Sequence, residues 1–228
     1  MTTSAEQDRI FATGEGDAWF RRNAAALMRE GRYDPLLAAL RQLPADRLAG
    51  IGSVCDVGCS NGERLARIAP ELAPDATLAG FDASGEAVAR GKADFPGLDL
   101  RQGLAGEPPL AGPFDLVTVG FVLHWIDRRL LARSIAALDG LVAEGGLLAI
   151  ADFLPDRPCR RAYHHRTDVS LYTFKQDYPR AFTGLGIYRE VLRFTFDHSG
   201  SGAAASHDQE RAVCAILQKS LDYPEAAA

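Results

Sequence analysis

The amino-acid sequence predicts an α/β fold in which helices cover both faces of a mostly parallel sheet. Two observations carry this prediction. From Ser53 onwards, short apolar runs alternate with stretches whose apolar residues recur at helical spacing. The apolar runs, such as FDLVTVGF, are nearly continuous, which is typical of strands that are buried on both faces of a parallel sheet. Together these features favour a doubly wound sheet.

The first 50 residues differ from the rest because they predict helices only. Residues 17–29 and 35–41 carry apolar side chains at roughly helical spacing, and the turn GRYD joins them. The alternating part then begins with SVCDVG, a strand that runs into a glycine turn. Five strands are predicted between residues 53 and 154, and they cover residues 53–58, 77–84, 98–103, 114–125 and 146–154. The helices predicted between them cover residues 62–73, 84–95 and 128–142.

After Pro155 the alternation of strands and helices stops. Residues 160–178 predict a helix that is unusually rich in His, Tyr and charged side chains. Residues 187–198 alternate in the manner of an antiparallel strand, and the loop SGSGAAAS leads to a last strand at 211–220 that pairs with it. The end of the chain therefore predicts an antiparallel strand pair.

Composition and charge limit the classes of protein to which this chain can belong. The 228 residues are 47% apolar and 24% charged, which is ordinary for a globular protein with a substantial core. The formal charge of −5 and the isoelectric point near 5.6 disfavour a nucleic-acid binder, which needs a basic surface to neutralise phosphates. The apolar stretch near residue 145 is broken by acids and two glycines, so we expect no membrane span.

The four cysteines form no C-x-x-C pair, and the polar N-terminus shows no signal peptide. We therefore expect reduced thiols and a cytoplasmic protein.

The stretch VCDVGCSNGERL bears most directly on function. A dinucleotide fingerprint starting at Gly58 would need glycines where Ser60 and Glu63 stand, and no Gly-Lys-Ser/Thr ending of a phosphate-binding loop follows. An acid two residues before G-x-G-x-G fits instead, with Asp56 as the acid and Ser60 as a small substitute. At the end of the second strand, Asp82 can accept hydrogen bonds from both hydroxyls of a ribose.

These residues resemble the class I S-adenosylmethionine-dependent methyltransferases. DVGCSNG is similar to the first motif of that family, GFDAS to the second, FDLVTVGFVLHWI to the fourth-strand motif and GLLAIADF to the fifth strand. The resemblance implies a Rossmann-like, doubly wound sheet of seven strands in the order 3-2-1-4-5-7-6, with the last strand antiparallel. It also implies one domain over 1–228: a helical lid at 1–50, a cofactor-binding core at 51–153, and a substrate-facing segment with the strand pair at 154–228.

The resemblance implies S-adenosylmethionine as cofactor. Small residues in the turn let its methionine part approach the backbone, and an acid suits its cationic groups. Many relatives place an acid after the third strand for the adenine amino group, but here Leu104 stands there. The helix in GEGDAWFRRN is either a plain amphipathic helix or a lid that reaches the methionine carboxylate. The expected cofactor residues are Trp19, Arg22, Asn23, Asp56, Gly58, Cys59, Ser60, Gly62, Asp82, Ala83, Gly103, Leu104, Gly120 and Phe121.

The expected catalytic residues follow the fourth and fifth strands, where the family builds its acceptor pocket. His124 is the first candidate for the base, since histidine is the natural base at neutral pH; the alternative is a surface polar residue. Tyr163, His165 and Tyr172 are expected to contact the acceptor. No spacing here completes a metal site, so we expect none.

Three functions remain open. The first is metal-independent methyl transfer to a small molecule, and segments such as FKQDY resemble methyltransferases of secondary-metabolite or sugar pathways. The second is a non-catalytic protein of the same fold that serves as a binding or partner subunit. The third, an NAD-dependent oxidoreductase, is disfavoured by Ser60 and Glu63. We expect a small-molecule acceptor, no nucleic acid, no membrane, and a monomer or homodimer.

Overall fold

A computed structural model of the chain describes residues 4–29, 31–198 and 210–222. The strands are β1 Ser53–Val57, β2 Thr77–Asp82, β3 Asp99–Gln102, β4 Phe114–Gly120, β5 Val142–Phe153, β6 Cys159–Ala162, β7 Tyr172–Lys175, β8 Tyr188–Asp197 and β9 Arg211–Lys219. The α-helices are α1 Ser4–Ile10, α2 Gly16–Leu27, α3 Pro35–Leu40, α4 Ala45–Ala49, α5 Glu63–Glu71, α6 Gly85–Asp94, α7 Leu131–Asp139 and α8 Pro179–Thr183. A π-helical turn, Phe11–Glu15, joins α1 to α2.

Seven strands form one sheet in the order β3-β2-β1-β4-β5-β9-β8. The strands from β3 to β5 are parallel, β9 is antiparallel to β5, and β8 is antiparallel to β9. This confirms the predicted Rossmann-like order, with β8 and β9 as its sixth and seventh strands. Because β9 reverses direction once and β8 reverses it again, β8 runs parallel to β5. The carboxyl ends of β1, β2, β4, β5 and β8 therefore meet at one edge of the sheet.

The core lies in two apolar layers, one on each face of the sheet. Within β1, Val54 faces the layer built with α3 and α5, while Cys55 faces the other layer. Leu65 and Ile68 of α5 are fully buried in the first layer, as helical spacing requires. The burial of β1 on both faces explains its nearly continuous apolar sequence. All four cysteines, each within the described ranges, are free thiols.

The helix predicted at 160–178 is wrong. This segment contains the hairpin of β6 and β7, in which Cys159 pairs with Lys175 and Ala162 with Tyr172. The aromatic and β-branched run YTFK favours a strand, and the pairing of the two short strands satisfies their backbone groups. The His, Tyr and charged side chains of this segment are therefore carried by a hairpin and its connecting loop rather than by a helix.

The fourth strand is shorter than predicted. Its last ladder pair joins Gly120 to Ala151, and Phe121 then takes a left-handed φ of +56°. The chain continues as a short 3-10 helix, Leu123–Trp125, so His124 lies on this helix rather than at the strand end. Apolar character alone did not show where the strand stops, because the buried 3-10 helix is equally apolar.

In the described part of the chain, no helix has the length and apolarity needed to cross a membrane.

Candidate active site

A cleft of about 370 Å³ opens at the edge of the sheet where the parallel strands end. Its floor is made by the segments that follow β1, β2, β3 and β4, and its far wall by the end of β8. The helices α1 and α2 cover it from above and contribute Asp8, Phe11, Gly16, Trp19 and Asn23. Ligands of open α/β sheets bind at this edge, where neighbouring crossovers diverge.

Most of the expected cofactor residues line this cleft. They are Trp19, Asn23, Gly58, Cys59, Ser60, Asp82, Ala83, Gly103, Leu104, Gly120 and Phe121. The other three, Arg22, Asp56 and Gly62, are not part of its wall. Residues that lie more than 100 positions apart in sequence are thus gathered around one space.

The glycine turn, residues 58–62, holds its shape through two left-handed glycines. Gly58 has a φ of +70°, and a Cβ there would lie 2.2 Å from Cγ2 of Val122. Gly62 has a φ of +80° and begins α5. It supports the turn from behind, where a Cβ would lie 2.9 Å from Cδ1 of Leu98. Glycine is the residue that adopts this conformation without strain, so the turn can approach a ligand with its bare backbone.

Asp82 ties the second strand to the glycine turn. Its carboxylate accepts hydrogen bonds from the backbone N–H groups of Ser60, at 2.9 Å, and Ser84, at 2.8 Å. Burial raises the pKa of the carboxyl, while the two N–H donors partly offset that rise. Asp82 therefore both positions the turn and presents acceptor oxygens to the cleft.

Asp56 lies beneath the turn in a buried charge network, which we call the Arg64 network. Asp56 accepts hydrogen bonds from Oγ1 of Thr118, at 2.6 Å, and from Nη1 of Arg64, at 2.8 Å. Nε of the same guanidinium donates to Asp34 at 2.9 Å. Burial alone would raise the pKa of Asp34, but Arg64 and Arg32 hold it below its ordinary value. Arg64 thus balances the charge of the Asp56 carboxylate inside the protein, beneath the turn.

Three polar atoms in the cleft wall are buried and have no hydrogen-bond partner among the described residues. They are Nε of Arg32, Oγ of Ser60 and Oε2 of Glu63. Buried polar groups are nearly always paired, so an unpaired donor beside unpaired acceptors indicates a site for a polar ligand.

The lid of α1, the π-turn and α2 is fastened to the body at two ends. Gln7 donates hydrogen bonds to the backbone carbonyls of Trp125 and, at 2.9 Å, Tyr172. Asp17 accepts from Oγ of Ser84, at 2.7 Å, and from the backbone N–H of Glu86, at 3.0 Å. The lid therefore contacts both the hairpin and the end of β2, which fits the predicted role of this segment.

A latch at the middle of the lid holds the expected residues Arg22 and Tyr163. The buried carboxylate of Glu15 accepts from the hydroxyl of Tyr163 at 2.9 Å and pairs with Arg22. Burial and the neighbouring carboxylate raise the pKa of the Tyr163 hydroxyl to about 12. Tyr163 therefore fastens the lid to the body, while Arg22 supports Glu15 from within the lid, and neither residue lines the cleft.

The four expected catalytic residues do not line the cleft. His124 is 4% exposed, and its Nδ1 lies 3.0 Å from Oδ1 of Asp152. Tyr163 is held in the latch, and Tyr172 binds the lid through its backbone while Arg160 lies over its ring. His165 is exposed on the hairpin. The structure groups them behind and beside the lid.

Among the titratable side chains that line the cleft, Asp8 and His198 were missed by the sequence reasoning. Asp8 comes from α1; burial, then Asp127 and Glu107, raise its pKa to about 6. His198 immediately follows β8. The direction of β8 could have revealed His198, because two reversals return the chain to the ligand edge.

Within the described ranges, no three His, Cys, Asp or Glu side chains are grouped closely enough to hold a metal ion.

Comparisons with known proteins agree with this geometry. A family model for a methyltransferase domain matches residues 55–148. Over 114 residues the chain is 34% identical to an uncharacterized methyltransferase of Synechocystis, covering 49% of this chain and 52% of that protein. Over 98 residues it is 38% identical to trans-aconitate 2-methyltransferase of Deinococcus radiodurans, covering 42% and 36%. The chain thus spans about half or less of the length of these curated relatives.

Two solved structures share the fold. The 1,6-didemethyltoxoflavin-N1-methyltransferase of Burkholderia thailandensis, solved with its substrate and S-adenosylhomocysteine, matches with a TM-score of 0.72 and 12% identity, over 96% of this chain and 92% of that chain. The N-methyltransferase NodS of Bradyrhizobium japonicum, in complex with S-adenosylhomocysteine, matches with a TM-score of 0.55 and 18% identity, over 96% and 99%.

Proposed function

We propose that the chain is a class I S-adenosylmethionine-dependent methyltransferase that transfers the methyl group of S-adenosylmethionine to a small-molecule acceptor. The observation that carries this proposal is the pairing of the glycine turn with Asp82. The glycine at position 58 lets a ligand lie close to the backbone, and the carboxylate of Asp82 at the end of β2 can accept hydrogen bonds from ribose hydroxyls. These two features suit a nucleoside whose attached chain carries no phosphate. The transfer needs no metal, since the cofactor supplies an already activated methyl group on its sulfonium.

The residues present fit this cofactor at the glycine turn. The unpaired acceptors of Ser60 and Glu63 and the unpaired donor of Arg32 suit an amino-acid head with one ammonium and one carboxylate. We assign the carboxylate to Arg32 rather than to Arg22, because Arg22 is engaged by Glu15 and Tyr163. Asn23 lines the cleft and remains within the proposed site.

At the nucleoside end, Asp82 would hold the ribose and the segment at Leu104 would border the adenine. The lid places Asp8 in the same cleft wall as Leu104. Gln7, beside it, binds the carbonyl of Trp125, and Phe11, one turn later, packs on the ring of Trp125 at 4.9 Å. We therefore assign to Asp8 the role of accepting a hydrogen bond from the adenine amino group.

The task of the chain's own residues is alignment and exclusion of water. Methyl transfer is an in-line displacement, so holding the acceptor in line with the methyl group supplies much of the rate. The lid closes the cleft over its apolar wall, and the latch at Glu15 holds it there. Positive charge disappears as the reaction proceeds, which a modestly polar, water-poor cleft favours.

The proposal is tested with methyl-labelled S-adenosylmethionine and a panel of small acceptors, including sugar and secondary-metabolite intermediates. We expect labelled product that mass spectrometry identifies as a singly methylated acceptor. A chain that binds S-adenosylhomocysteine but methylates nothing in a broad panel would instead favour the non-catalytic alternative. The position of the four expected catalytic residues outside the cleft is the observation that keeps this alternative open.

A further inference from the structure

We propose that His198 is the general base of the reaction and that the acceptor is a planar compound that loses a proton from a hydroxyl or a ring N–H. This inference rests on the proposed methyltransferase function. It concerns the acceptor end of the cleft, to which the sequence had assigned His124.

His198 is fixed at the ligand edge by its place in the sheet. It follows Asp197, the last residue of β8, and its backbone N–H donates to the carbonyl of Glu210 at 2.8 Å. Its ring packs on Phe121, with centroids 4.5 Å apart, and on Phe153, with centroids 4.7 Å apart. The side chain lines the cleft, so one side is supported by aromatic rings while the imidazole remains accessible.

The His124 ring, whose Nδ1 pairs with Asp152, contacts the same two aromatic rings. The ring of His124 packs on Phe153 at 5.0 Å, and Nζ of Lys175 lies 3.7 Å above that ring. His198 therefore has two cationic or titratable neighbours, His124 and Lys175, and two carboxylates, Asp152 and Glu210.

The pKa of His198 is lowered, first by desolvation and next by the neighbouring His124. The imidazole is then neutral at pH 7, which is the form that can accept a proton.

The wall beside His198 suits a flat aromatic acceptor. Phe196 packs edge-on against Tyr33, with centroids 6.2 Å apart, and against Phe121, with centroids 6.3 Å apart. These three rings form a continuous apolar surface that lines the cleft next to the imidazole. A planar compound can stack on such a surface while presenting one polar edge to His198.

The charges of the cleft disfavour a polycarboxylate acceptor. The cations in the described wall are Arg32, which the proposed function assigns to the methionine carboxylate, and Arg64, which already pairs with the carboxylates of the Arg64 network. The wall also carries Asp8, Glu63, Asp82 and Asp197. In addition, a carboxylate is deprotonated at pH 7 and needs no base. A base at His198 therefore suits an acceptor that must lose a proton from a hydroxyl or a ring N–H.

The step balances without another reactant. The acceptor oxygen or nitrogen forms a bond to the methyl carbon as its own O–H or N–H bond breaks, and His198 takes the proton. The electron pair of the broken carbon–sulfur bond stays on sulfur, which becomes a neutral thioether. The imidazolium then loses its proton to water.

The experiment compares His198→Gln, His198→Ala and the exposed-histidine control His164→Gln. Turnover is measured with methyl-labelled S-adenosylmethionine on phenol, 4-nitrophenol, xanthine, benzoate and trans-aconitate. Calorimetry with S-adenosylhomocysteine is run on every variant. We expect both His198 variants to lose about 10²–10⁴-fold in turnover on the hydroxyl or N–H acceptor, with S-adenosylhomocysteine affinity kept. Imidazole should restore part of the activity of His198→Ala but not of His198→Gln.

The pH profile separates a base from a merely structural residue. Wild-type turnover should fall as the pH drops through a midpoint below that of an ordinary histidine, because protonation removes the acceptor lone pair. His124→Gln removes a neighbour that lowers the pKa of His198, so the midpoint should move to higher pH. Unchanged turnover in both His198 variants, or carboxylates as the preferred acceptors, would overturn the inference. Failure of wild-type protein to bind S-adenosylhomocysteine would instead overturn the proposed function.

Discussion

The glycine turn lines the cleft, whereas the hairpin of β6 and β7 holds the lid, and the sequence predicted the turn far better than the hairpin. The turn lies within ten residues of its strand, and each of its features, from the acid at Asp56 to the glycine at Gly62, has a fixed local spacing. The hairpin is held by distant partners: Tyr163 by Glu15, and Tyr172 by Gln7. The comparison shows that the shape of the turn is determined by its local sequence, while the attachment of the lid depends on tertiary contacts.

The largest expected effect concerns the Arg64 network beneath the turn. Arg64→Leu leaves the carboxylates of Asp34 and Asp56 buried without their shared cation, and we expect the free energy of unfolding to fall by about 3–5 kcal/mol. The pKa of Asp34 is depressed in the folded state, so its stabilisation is present above its ordinary pKa and is lost as the pH falls.

The difference between wild type and Arg64→Leu should therefore shrink below about pH 4. Urea unfolding at pH 7 and pH 3.5 measures it, with the exposed pair variant Arg90→Leu as control. Equal unfolding free energies of Arg64→Leu and wild type at pH 7 would contradict the network's role.

The second effect tests the local encoding of the turn. Gly58→Ala places a Cβ within 2.2 Å of Val122 at a φ of +70°, so we expect S-adenosylhomocysteine binding to weaken by at least about 100-fold. Gly145→Ala is the matched control, because Gly145 has a φ of +74° but no atom within 4 Å of the added Cβ. Calorimetric affinities that stay equal for the two variants would contradict the predicted role of the close approach at Gly58.

A smaller effect is expected at Asp8, through which the lid would supply the adenine-binding acid that is missing after the third strand. Asp8→Asn should weaken S-adenosylhomocysteine binding by about 1 kcal/mol, or roughly fivefold, through one lost charged acceptor. Binding of S-inosylhomocysteine, which lacks the adenine amino group, should change little. Asp94→Asn, at an exposed acid paired with Arg90 and outside the cleft, is the control. An equal loss of affinity for both ligands would contradict the proposal that Asp8 binds the adenine amino group.

The smallest effect concerns the latch. Glu15→Gln keeps the shape of the side chain but removes the charge that holds the hydroxyl of Tyr163 and the guanidinium of Arg166, both on the body of the protein, so the lid should open more often. Hydrogen exchange of residues 7–27 should speed up by a few-fold without ligand, and S-adenosylhomocysteine should reduce the difference. Arg9→Gln, a substitution at an exposed residue of the lid helix α1, serves as control. Exchange that matches wild type would leave the lid independent of Glu15.

The strand order, the cleft edge and most of the cofactor wall could be predicted from the sequence, because buried strands and glycine turns have short-range signatures. The position of Asp82 followed from the end of its strand. The hairpin could not be predicted, since the spacing of His164 and Asp168 suits a helix equally well while YTFK favours a strand only once its partner is known. His198 was missed because its place depends on the direction of β8 in the sheet.

The central claim, that this edge of the sheet binds S-adenosylmethionine, is tested most directly by calorimetric titration of the wild-type protein. S-adenosylhomocysteine and NAD are titrated separately under the same conditions. The account predicts saturable binding of one S-adenosylhomocysteine per chain and no heat of binding with NAD. Binding of NAD in place of S-adenosylhomocysteine, or of neither, would contradict it.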